Sequence, residues 1–312
     1  MVTGVSKFDQ RFGMDQLKRF DTVKQYNEEA LAETLHPLVN VVKFNEVPKI
    51  LKLRAYFGIY AMFLKLERCG DLTYGCQPYD YDDGTLIFIG PGQVYSVDGG
   101  DEPVISKGYG LVFHPDFIKG THLGKAIRDY SFFSYEANEA LHLSTKERKS
   151  ILEGFKKISE EIKQNIDHHT KTLIVSNIEL LLNYCMRYYD RQFITRTHAN
   201  KDILVRFENL LRGYFNSDNI HNLGLPSVNW CANQLHLSSN YFGDLIKKET
   251  GTTALEYIQS KLLDEAKTRI FDADKTLNDV ASDLGFKYQQ HFTRFFKQRT
   301  GMTPNEFRNS MN

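Results

Sequence analysis

The sequence predicts an α+β protein, in which a strand-rich N-terminal domain is followed by a helical connector and an all-α C-terminal domain. Three observations lead to this fold class. Short runs of β-branched and aromatic residues alternate with Gly, Pro, Asn and Asp from Val41 to Phe117. Apolar residues recur at helical spacing from Ser144 onward. An internal repeat then occupies the C-terminal part of the chain.

Length and composition are those of a neutral globular protein. The 312 residues allow two or three domains, and 39 Lys and Arg balance 39 Asp and Glu. No apolar run reaches about 18 residues, so no membrane span is expected, and the N-terminus lacks the apolar centre of a signal peptide. The four cysteines form no CxxC pair, which indicates free thiols in a cytoplasmic chain and neither disulfides nor a zinc site.

The strand runs indicate a β-sandwich or a small barrel over residues 1–143. Gly90-Pro91-Gly92 is predicted as a tight turn between two of the strands. A small barrel can enclose a ligand, and the candidate pocket residues are the aromatics at alternate strand positions, although filling of the core is the alternative. These candidates are Tyr56, Phe88, Tyr95 and Phe113.

Barrel enzymes of the cupin type hold a metal with a closely spaced His-x-His and a following Glu. The sequence contains no His-x-His. We therefore expect no metal, no cofactor and no enzymatic activity.

Two helices are expected over residues 144–192. Ser144 and Glu147 form an S-x-x-E capping box at the start of the first helix. The second helix has an apolar seam at spacings of 4, 3, 4 and 3, which either packs within the chain or joins two subunits, and we favour a homodimer contact. The seam consists of Ile174, Ile178, Leu181, Cys185 and Tyr188. Residues 193–200 are polar and basic and are predicted to be a linker to the domain at 201–312.

The C-terminal domain contains two copies of the pattern K-x-x-T-G-x-T-x-x-E-[YF], beginning at Lys247 and Lys297. Upstream of each pattern we expect a helix, a turn and a second helix, with a one-residue difference between the copies at the turn. In the second copy Thr276 caps the first helix, Gly285 takes the turn and Gly301 ends the second helix. One helix is expected from Thr253 to Phe271, about 28 Å long. It would separate the second helices of the two copies so that they can enter successive major grooves of a duplex.

Basic residues are concentrated in the second copy. Between Leu284 and Arg308 the only acidic residue is Glu306, against five Lys and Arg. A local basic patch on a neutral chain fits a protein that grips DNA with one face, although a solvated helix face would have the same composition.

The paired helix-turn-helix, above all DVASDLGFKYQQHFTRFFKQRTGMTPNEFR from Asp279 to Arg308, resembles the AraC/XylS family of bacterial transcription regulators. The resemblance covers about residues 201–312. It implies a seven-helix DNA-binding domain, which many members join to an N-terminal cupin-like domain for sensing and dimerisation.

The resemblance also implies base contacts at Gln289, Gln290, His291 and Arg294 in the second copy, and at Asn240, Gly243 and Asp244 in the first. Arg suits guanine and Gln suits adenine, whereas glycine cannot contact a base edge and Asp repels phosphates. The first copy is therefore expected mainly to position the second. The candidate phosphate contacts are the basic residues of both copies, namely Lys247, Lys248, Lys287, Lys297 and Arg299.

These features predict a sequence-specific transcription regulator that contacts adjacent major grooves with two recognition helices. Its expected partners are double-stranded DNA, a second copy of the chain, RNA polymerase and a small-molecule effector of the N-terminal domain. The alternatives are a cupin-type enzyme with an accessory helical domain, and an interaction protein whose helix-turn-helix is degenerate.

Overall fold

The computed structural model describes residues 17–44, 52–66, 73–74, 77–78, 84–98, 107–136, 139–195, 197–217, 219–272 and 274–310. The chain divides into two compact units, Met1–Ile194 and Thr195–Asn312. The division falls within the predicted linker, and the described residues on both sides of position 196 are helical. Of the four cysteines, Cys69 and Cys76 lie outside the described residues, and Cys185 and Cys231 are buried free thiols.

The first unit is built on short strands arranged in separate sheets. β1, β3 and β8 form a three-stranded sheet, a five-stranded sheet has the order β10-β7-β4-β9-β2, and β5 pairs with β6. The strands are β1 (Lys18–Phe20), β2 (Val39–Lys43), β3 (Lys52–Phe57), β4 (Tyr60–Lys65), β5 (Thr73–Tyr74), β6 (Gln77–Pro78), β7 (Thr85–Ile89), β8 (Gln93–Asp98), β9 (Gly108–Phe113) and β10 (Leu141–His142).

Two tight connections carry the chain from one sheet to the other. Gly58 and Ile59 link β3 to β4, and the predicted turn at Gly90-Pro91-Gly92 links β7 to β8. Gly92 has a φ of 94°, a conformation that glycine adopts without strain. The α+β class is confirmed. The predicted barrel is corrected, because the strands in the described residues form no closed sheet.

Aromatic side chains fill the space between the two larger sheets. α1 (Val23–Glu29) lies at this core and contributes Tyr26, whose ring packs 6.4 Å from Phe57 and 6.0 Å from Phe63. Phe57 and Phe63 belong to different sheets, and their ring centroids are 6.1 Å apart. Burial raises the pKa of the Tyr26 hydroxyl, as expected for a phenol removed from water.

Helical segments follow β9 and β10, and three of them contact the opposite face of the five-stranded sheet, where Phe133 and Tyr189 pack near Phe88 and Phe155 packs near Tyr109. The segments are α2 (Pro115–Ile118), α3 (His122–Ala126), the 3-10 turns at Ile127–Asp129 and Ser131–Ser134, α4 (Thr145–Ile162) and α5 (Thr170–Thr195). The capping box predicted for α4 is present, since the Ser144 hydroxyl accepts from the backbone of Glu147 and the Glu147 carboxylate accepts from the backbone of Ser144. At the sheet edge, Gln192 of α5 accepts a hydrogen bond from the His142 backbone at 2.8 Å.

The four predicted pocket residues do not line one pocket. Tyr95 packs near Phe63 on the core side, whereas Phe88 and Phe113 both contact Phe133 on the opposite side of the five-stranded sheet. Tyr56 lies under the guanidinium of Arg19, which is 4.1 Å from the centre of its ring. The prediction of a shared pocket is wrong, because the four side chains come from four strands of two sheets and lie on different faces of those sheets.

A cavity of about 810 Å³ does lie in this unit, between β2 and α4. Its walls include Leu35, Tyr109 and Leu152, together with Lys156 and Glu160, which form an ion pair at 3.7 Å. None of the four predicted pocket residues contributes to its walls.

The apolar seam of α5 is buried inside a single chain. Each of the five side chains, Ile174, Ile178, Leu181, Cys185 and Tyr188, is at most 9% exposed. α4 lies so close that a Cβ added to Gly154 would be 2.6 Å from Cδ1 of Leu181. The seam therefore packs within the chain, and its assignment to a subunit contact is corrected because these side chains have almost no surface left for a partner.

In the second unit all regular structure of the described residues is helical. Its helices are α6 (Thr197–Phe215), α7 (Asn219–Leu223), α8 (Val228–Gln234), α9 (Ser239–Thr250), α10 (Ala254–Arg269), α11 (Leu277–Asp283), α12 (Gln289–Thr300) and α13 (Pro304–Ser310). α10 is the predicted connecting helix, but it has 16 residues and is therefore about 24 Å long.

Arg269 joins helices from both halves of this unit. Its guanidinium donates to the Phe215 carbonyl at the end of α6 (2.7 Å) and to the Asp283 carbonyl at the end of α11 (3.1 Å). Carbonyls at helix ends lack partners within the helix, so the arginine satisfies two of them and fixes α11 against the remaining helices.

Candidate nucleic-acid interface

α8 and α9 form the first helix-turn-helix. Ser227 and Ser238 cap the two helices by accepting hydrogen bonds from the backbone of Trp230 (3.1 Å) and Tyr241 (3.2 Å). His236 occupies the turn with a φ of 57°, in the left-handed region that strains a residue with a Cβ.

α11 and α12 form the second helix-turn-helix. The capping box predicted at Thr276 is present, with Asp279 as its carboxylate. Gly285 takes the turn with a φ of 77°, and a Cβ at this position would be 2.8 Å from the carbonyl oxygen of Ile220. Gly301 ends α12 with a φ of 79°, as the sequence predicts.

Equivalent hydrogen bonds align the two turns residue by residue. The N–H of His236 donates to the Asn233 carbonyl (3.1 Å), and the N–H of Gly285 donates to the Ser282 carbonyl (2.9 Å). After this point the first copy reaches its second helix through residues 237–238, and the second copy through residues 286–288. The one-residue difference between the copies therefore lies between the turn and the second helix.

α12 presents the predicted base-contact residues to solvent. Phe292 and Phe296 are fully buried, which fixes the rotation of the helix about its axis. The exposed side then carries Gln289, Gln290, His291, Arg294 and Lys297. Positions 290, 294 and 297 follow one another at helical spacing, so their side chains form a single stripe.

The basic residues around α12 have different local partners. The amino group of Lys287 lies 5.6 Å from the centre of the Tyr288 ring, and the guanidinium of Arg299 lies 4.2 Å from the centre of the Phe295 ring and also contacts Gln259. Stacked cations of this kind keep their charge at the surface.

Arg308, by contrast, belongs to the structure of the unit. It donates to the carbonyls of Ile270 (2.6 Å) and Lys275 (3.1 Å). Of the five Lys and Arg between Leu284 and Arg308, Arg308 is therefore occupied within the fold, and four remain for contact with a ligand.

The corresponding face of α9 is electrostatically different. Asn240, Lys247 and Lys248 are exposed, whereas Gly243 and Asp244 are half-buried. α9 contains two acidic and two basic side chains, but α12 contains basic ones and no acidic one. The structure thus gives α12 the stronger attraction for a polyanion.

Tyr288 is a residue of this surface that the sequence predictions missed. It is the N-cap residue of α12, it makes no capping hydrogen bond through its side chain, and it is 55% exposed. The sequence could have indicated Tyr288, because it stands at the expected N-cap position of α12, where Ser, Thr, Asp and Asn are the preferred residues.

Hydrogen bonds in the caps of this unit lower the pKa values of several carboxyl groups. The Thr276 hydroxyl donates to Asp279 at 2.6 Å and, with the Thr276 N–H, lowers the pKa of that carboxyl. The backbone N–H of Thr303 donates to Glu306 at 2.7 Å and lowers its pKa in the same way. These acids stay ionised at the starts of their helices, where the helix dipole favours negative charge.

Within the described ranges no group of three or more His, Cys, Asp or Glu side chains is placed to hold a metal ion. The helices in those ranges also include none that is both long and apolar enough to cross a membrane.

A family model described as a helix-turn-helix domain matches residues 231–310. The TetD protein of transposon Tn10 from Escherichia coli is 32% identical over 126 residues, which cover 40% of this chain and 82% of that protein. YobQ of Bacillus subtilis, named as an uncharacterized HTH-type transcriptional regulator, is 37% identical over 76 residues, 24% of this chain. The matched part spans only 32% of the length of YobQ.

Among solved structures, an AraC-type transcriptional regulator from Chromobacterium violaceum aligns with a TM-score of 0.31 at 20% identity, over 36% of this chain and 94% of that one. The duplicated helix-turn-helix, the family model over it and the match along most of TetD agree with one another. This chain belongs to the AraC/XylS family.

Proposed function

We propose that this chain is a sequence-specific DNA-binding transcription regulator whose main reading element is α12. The exposed stripe of α12 supports this most directly, because it combines amides, an arginine and a lysine with no acid. Arg294 has the donors to bind guanine O6 and N7, and Gln289 and Gln290 have the paired donor and acceptor that adenine requires. His291 lies on the same exposed side.

In this proposal the first copy holds the protein on the duplex more than it selects a sequence. Asn240 and Asp244 are its remaining candidates for base contacts, and Lys247 and Lys248 are placed for phosphate. The length of α10, about 24 Å, is compatible with helices that enter successive major grooves on one side of DNA. Lys287, Lys297 and Arg299 would hold phosphates around the second groove.

A gel-shift assay with the DNA upstream of the protein's own gene, combined with sequencing of bound genomic fragments, tests the proposal. If the protein retains no DNA fragment at low salt, the proposal is wrong. The same assay separates a regulator from an interaction protein with a degenerate helix-turn-helix, the alternative that Gly243 and Asp244 suggest.

Arg294→Ala and Lys297→Ala form a matched pair for the chemistry of α12. Loss of Arg294 should cost roughly 1–3 kcal/mol on the preferred site and relax the choice at one base pair. Loss of Lys297 should weaken all sequences alike and reduce the salt dependence of binding. An unchanged footprint and affinity for Arg294→Ala would contradict its role as a base contact.

Control by a small molecule and assembly into a homodimer are further parts of the proposal, as is contact with RNA polymerase in the bacterial cytoplasm. We place the effector site in the cavity between β2 and α4, since the four predicted pocket aromatics do not lie together. Thermal shift of the full chain with a panel of metabolites tests this site. An effector must bind the two states of the protein unequally to shift them.

For the subunit contact, we propose the outward face of α5. Leu173, Leu180 and Tyr184 are 46%, 51% and 38% exposed there and are separated by seven and four positions. This spacing places the three side chains on one side of the helix, away from the buried seam.

A further inference from the structure

The N-terminus of α12 departs from the capping rule that the first copy follows. Ser238 caps α9 through its hydroxyl, whereas the equivalent Tyr288 has the extended backbone of an N-cap residue (φ −137°, ψ 134°) and no side-chain hydrogen bond to the helix. A serine, threonine, aspartate or asparagine would stabilise the helix at this position. The tyrosine thus gives up stability that a smaller polar residue would supply.

The ring of Tyr288 lies at the surface, beside the predicted reading residues. It is 55% exposed, His291 meets it edge to face with 5.5 Å between ring centres, and the amino group of Lys287 is 5.6 Å from its centre. Both neighbours are themselves exposed residues of the same segment. This geometry presents an apolar ring to an external partner at the start of the helix.

The chemistry next to the ring indicates what that partner is. In a helix-turn-helix the first residues of the second helix are those that contact base edges. Gln289 and Gln290, which follow Tyr288 directly, suit adenine, and every adenine is paired with a thymine. Thymine is distinguished in the major groove by its C5-methyl group, which apolar side chains contact.

We infer that the Tyr288 ring covers the C5-methyl of a thymine in the A·T pairs that Gln289 and Gln290 read. Tyr288 is then a specificity-determining residue, and the uncapped start of α12 follows from this contact. The inference rests on the proposed function and adds to it a defined preference for thymine at one position.

The test uses the whole chain and the DNA duplex that it binds most tightly. Deoxyuridine replaces, one at a time, each thymine in the part of that duplex contacted by α12. Deoxyuridine keeps base pairing and removes only the methyl group. At one position it should weaken binding of the natural chain roughly fourfold, the factor that corresponds to burying one methyl group. Two variants complete the cycle: Tyr288→Ser, which copies the cap of α9, and Tyr288→Phe, which keeps the ring.

Tyr288→Phe should keep the sensitivity to deoxyuridine, and Tyr288→Ser should lose it while its thermal midpoint rises by roughly 2–5 °C. If the natural chain binds DNA but tolerates deoxyuridine at every position, the inference fails and the proposed function stands. If Phe and Ser variants lose affinity equally, the hydroxyl and not the ring makes the contact, which also overturns it. If the natural chain binds no DNA, the proposed function itself fails.

Discussion

Replacement of Gly285 by alanine should destabilise the second helix-turn-helix by about 2–5 kcal/mol, the sum of two costs. The first is conformational, because the φ of 77° lies in the left-handed region, where a side chain costs about 1–2 kcal/mol. The second is steric, since the new Cβ would be 2.8 Å from the carbonyl oxygen and 3.0 Å from Cγ1 of Ile220. Crowding of this kind costs about 1–3 kcal/mol.

Gly251→Ala is the matched control, because it carries the first cost without the second. Gly251 has a φ of 75° at the end of α9, and no atom lies within 4 Å of the position its Cβ would take. We expect a loss of about 1–2 kcal/mol for this variant. The difference between the two variants then measures the contact with Ile220.

Urea unfolding followed by tryptophan fluorescence measures both losses. Trp230 is the sole tryptophan of the chain and lies in α8, so its signal reports on the second unit. The free energies can be compared directly if the slope with urea is unchanged. Equal losses in the two variants would refute the steric part of the argument, because of these two glycines Gly285 faces a backbone carbonyl and Gly251 does not.

Three further predictions concern other parts of the chain. His236→Gly should raise the stability of the second unit by about 0.5–1 kcal/mol, because glycine relieves the φ of 57° at the cost of its own chain entropy; no gain by the same fluorescence would contradict this. Hydrogen bonds from the backbone and hydroxyl groups of capping threonines lower the pKa values of Glu256 and Glu306 below the ordinary 4.5. The stability that these two carboxylates give the folded unit is therefore present above pH 4.5 and lost as pH falls through the lowered pKa values. The variant with both residues changed to Gln should show a flatter fall in melting temperature between pH 5 and about pH 3. The Leu173→Glu, Leu180→Glu variant should sediment as a monomer at concentrations where the natural chain is a dimer, and an unchanged dimer would place the contact elsewhere.

The caps and turns could be predicted from the sequence because their causes lie within a few residues. Ser144 and Thr276 meet their carboxylates three positions later, and both capping boxes are present. Gly285 and Gly301 adopt the left-handed backbone that their places in the pattern require. Such interactions depend on local spacing alone, so one sequence is enough to find them.

The faces of the strands could not be predicted in the same way. All five residues of β7, Thr85 to Ile89, are buried, so no alternation of polar and apolar side chains distinguishes one face from the other. The error about Phe88 follows from this. The seam of α5 presented a similar ambiguity, because apolar residues at spacings of four and three suit packing within a chain as well as packing between chains.

A count of charges also could not separate the arginines that hold the fold from those that face solvent. Arg269 and Arg308 donate to main-chain carbonyls of helix ends, whereas Arg294 is exposed on α12. All three look alike in the sequence, since the carbonyls concerned come from helices that are distant along the chain. Only the packing of those helices assigns each guanidinium its role.

The unequal copies are better explained by a division between stability and recognition than by decay of one copy. α9 has a serine cap, and its charges balance, so local interactions favour the helix and its attraction for DNA is weaker than that of α12. α12 lacks a side-chain cap and has a tyrosine in that place, and its folding depends more on the burial of Phe292 and Phe296. Local rules are most often broken at functional sites. The uncapped start of α12 is therefore itself an argument that recognition is concentrated there.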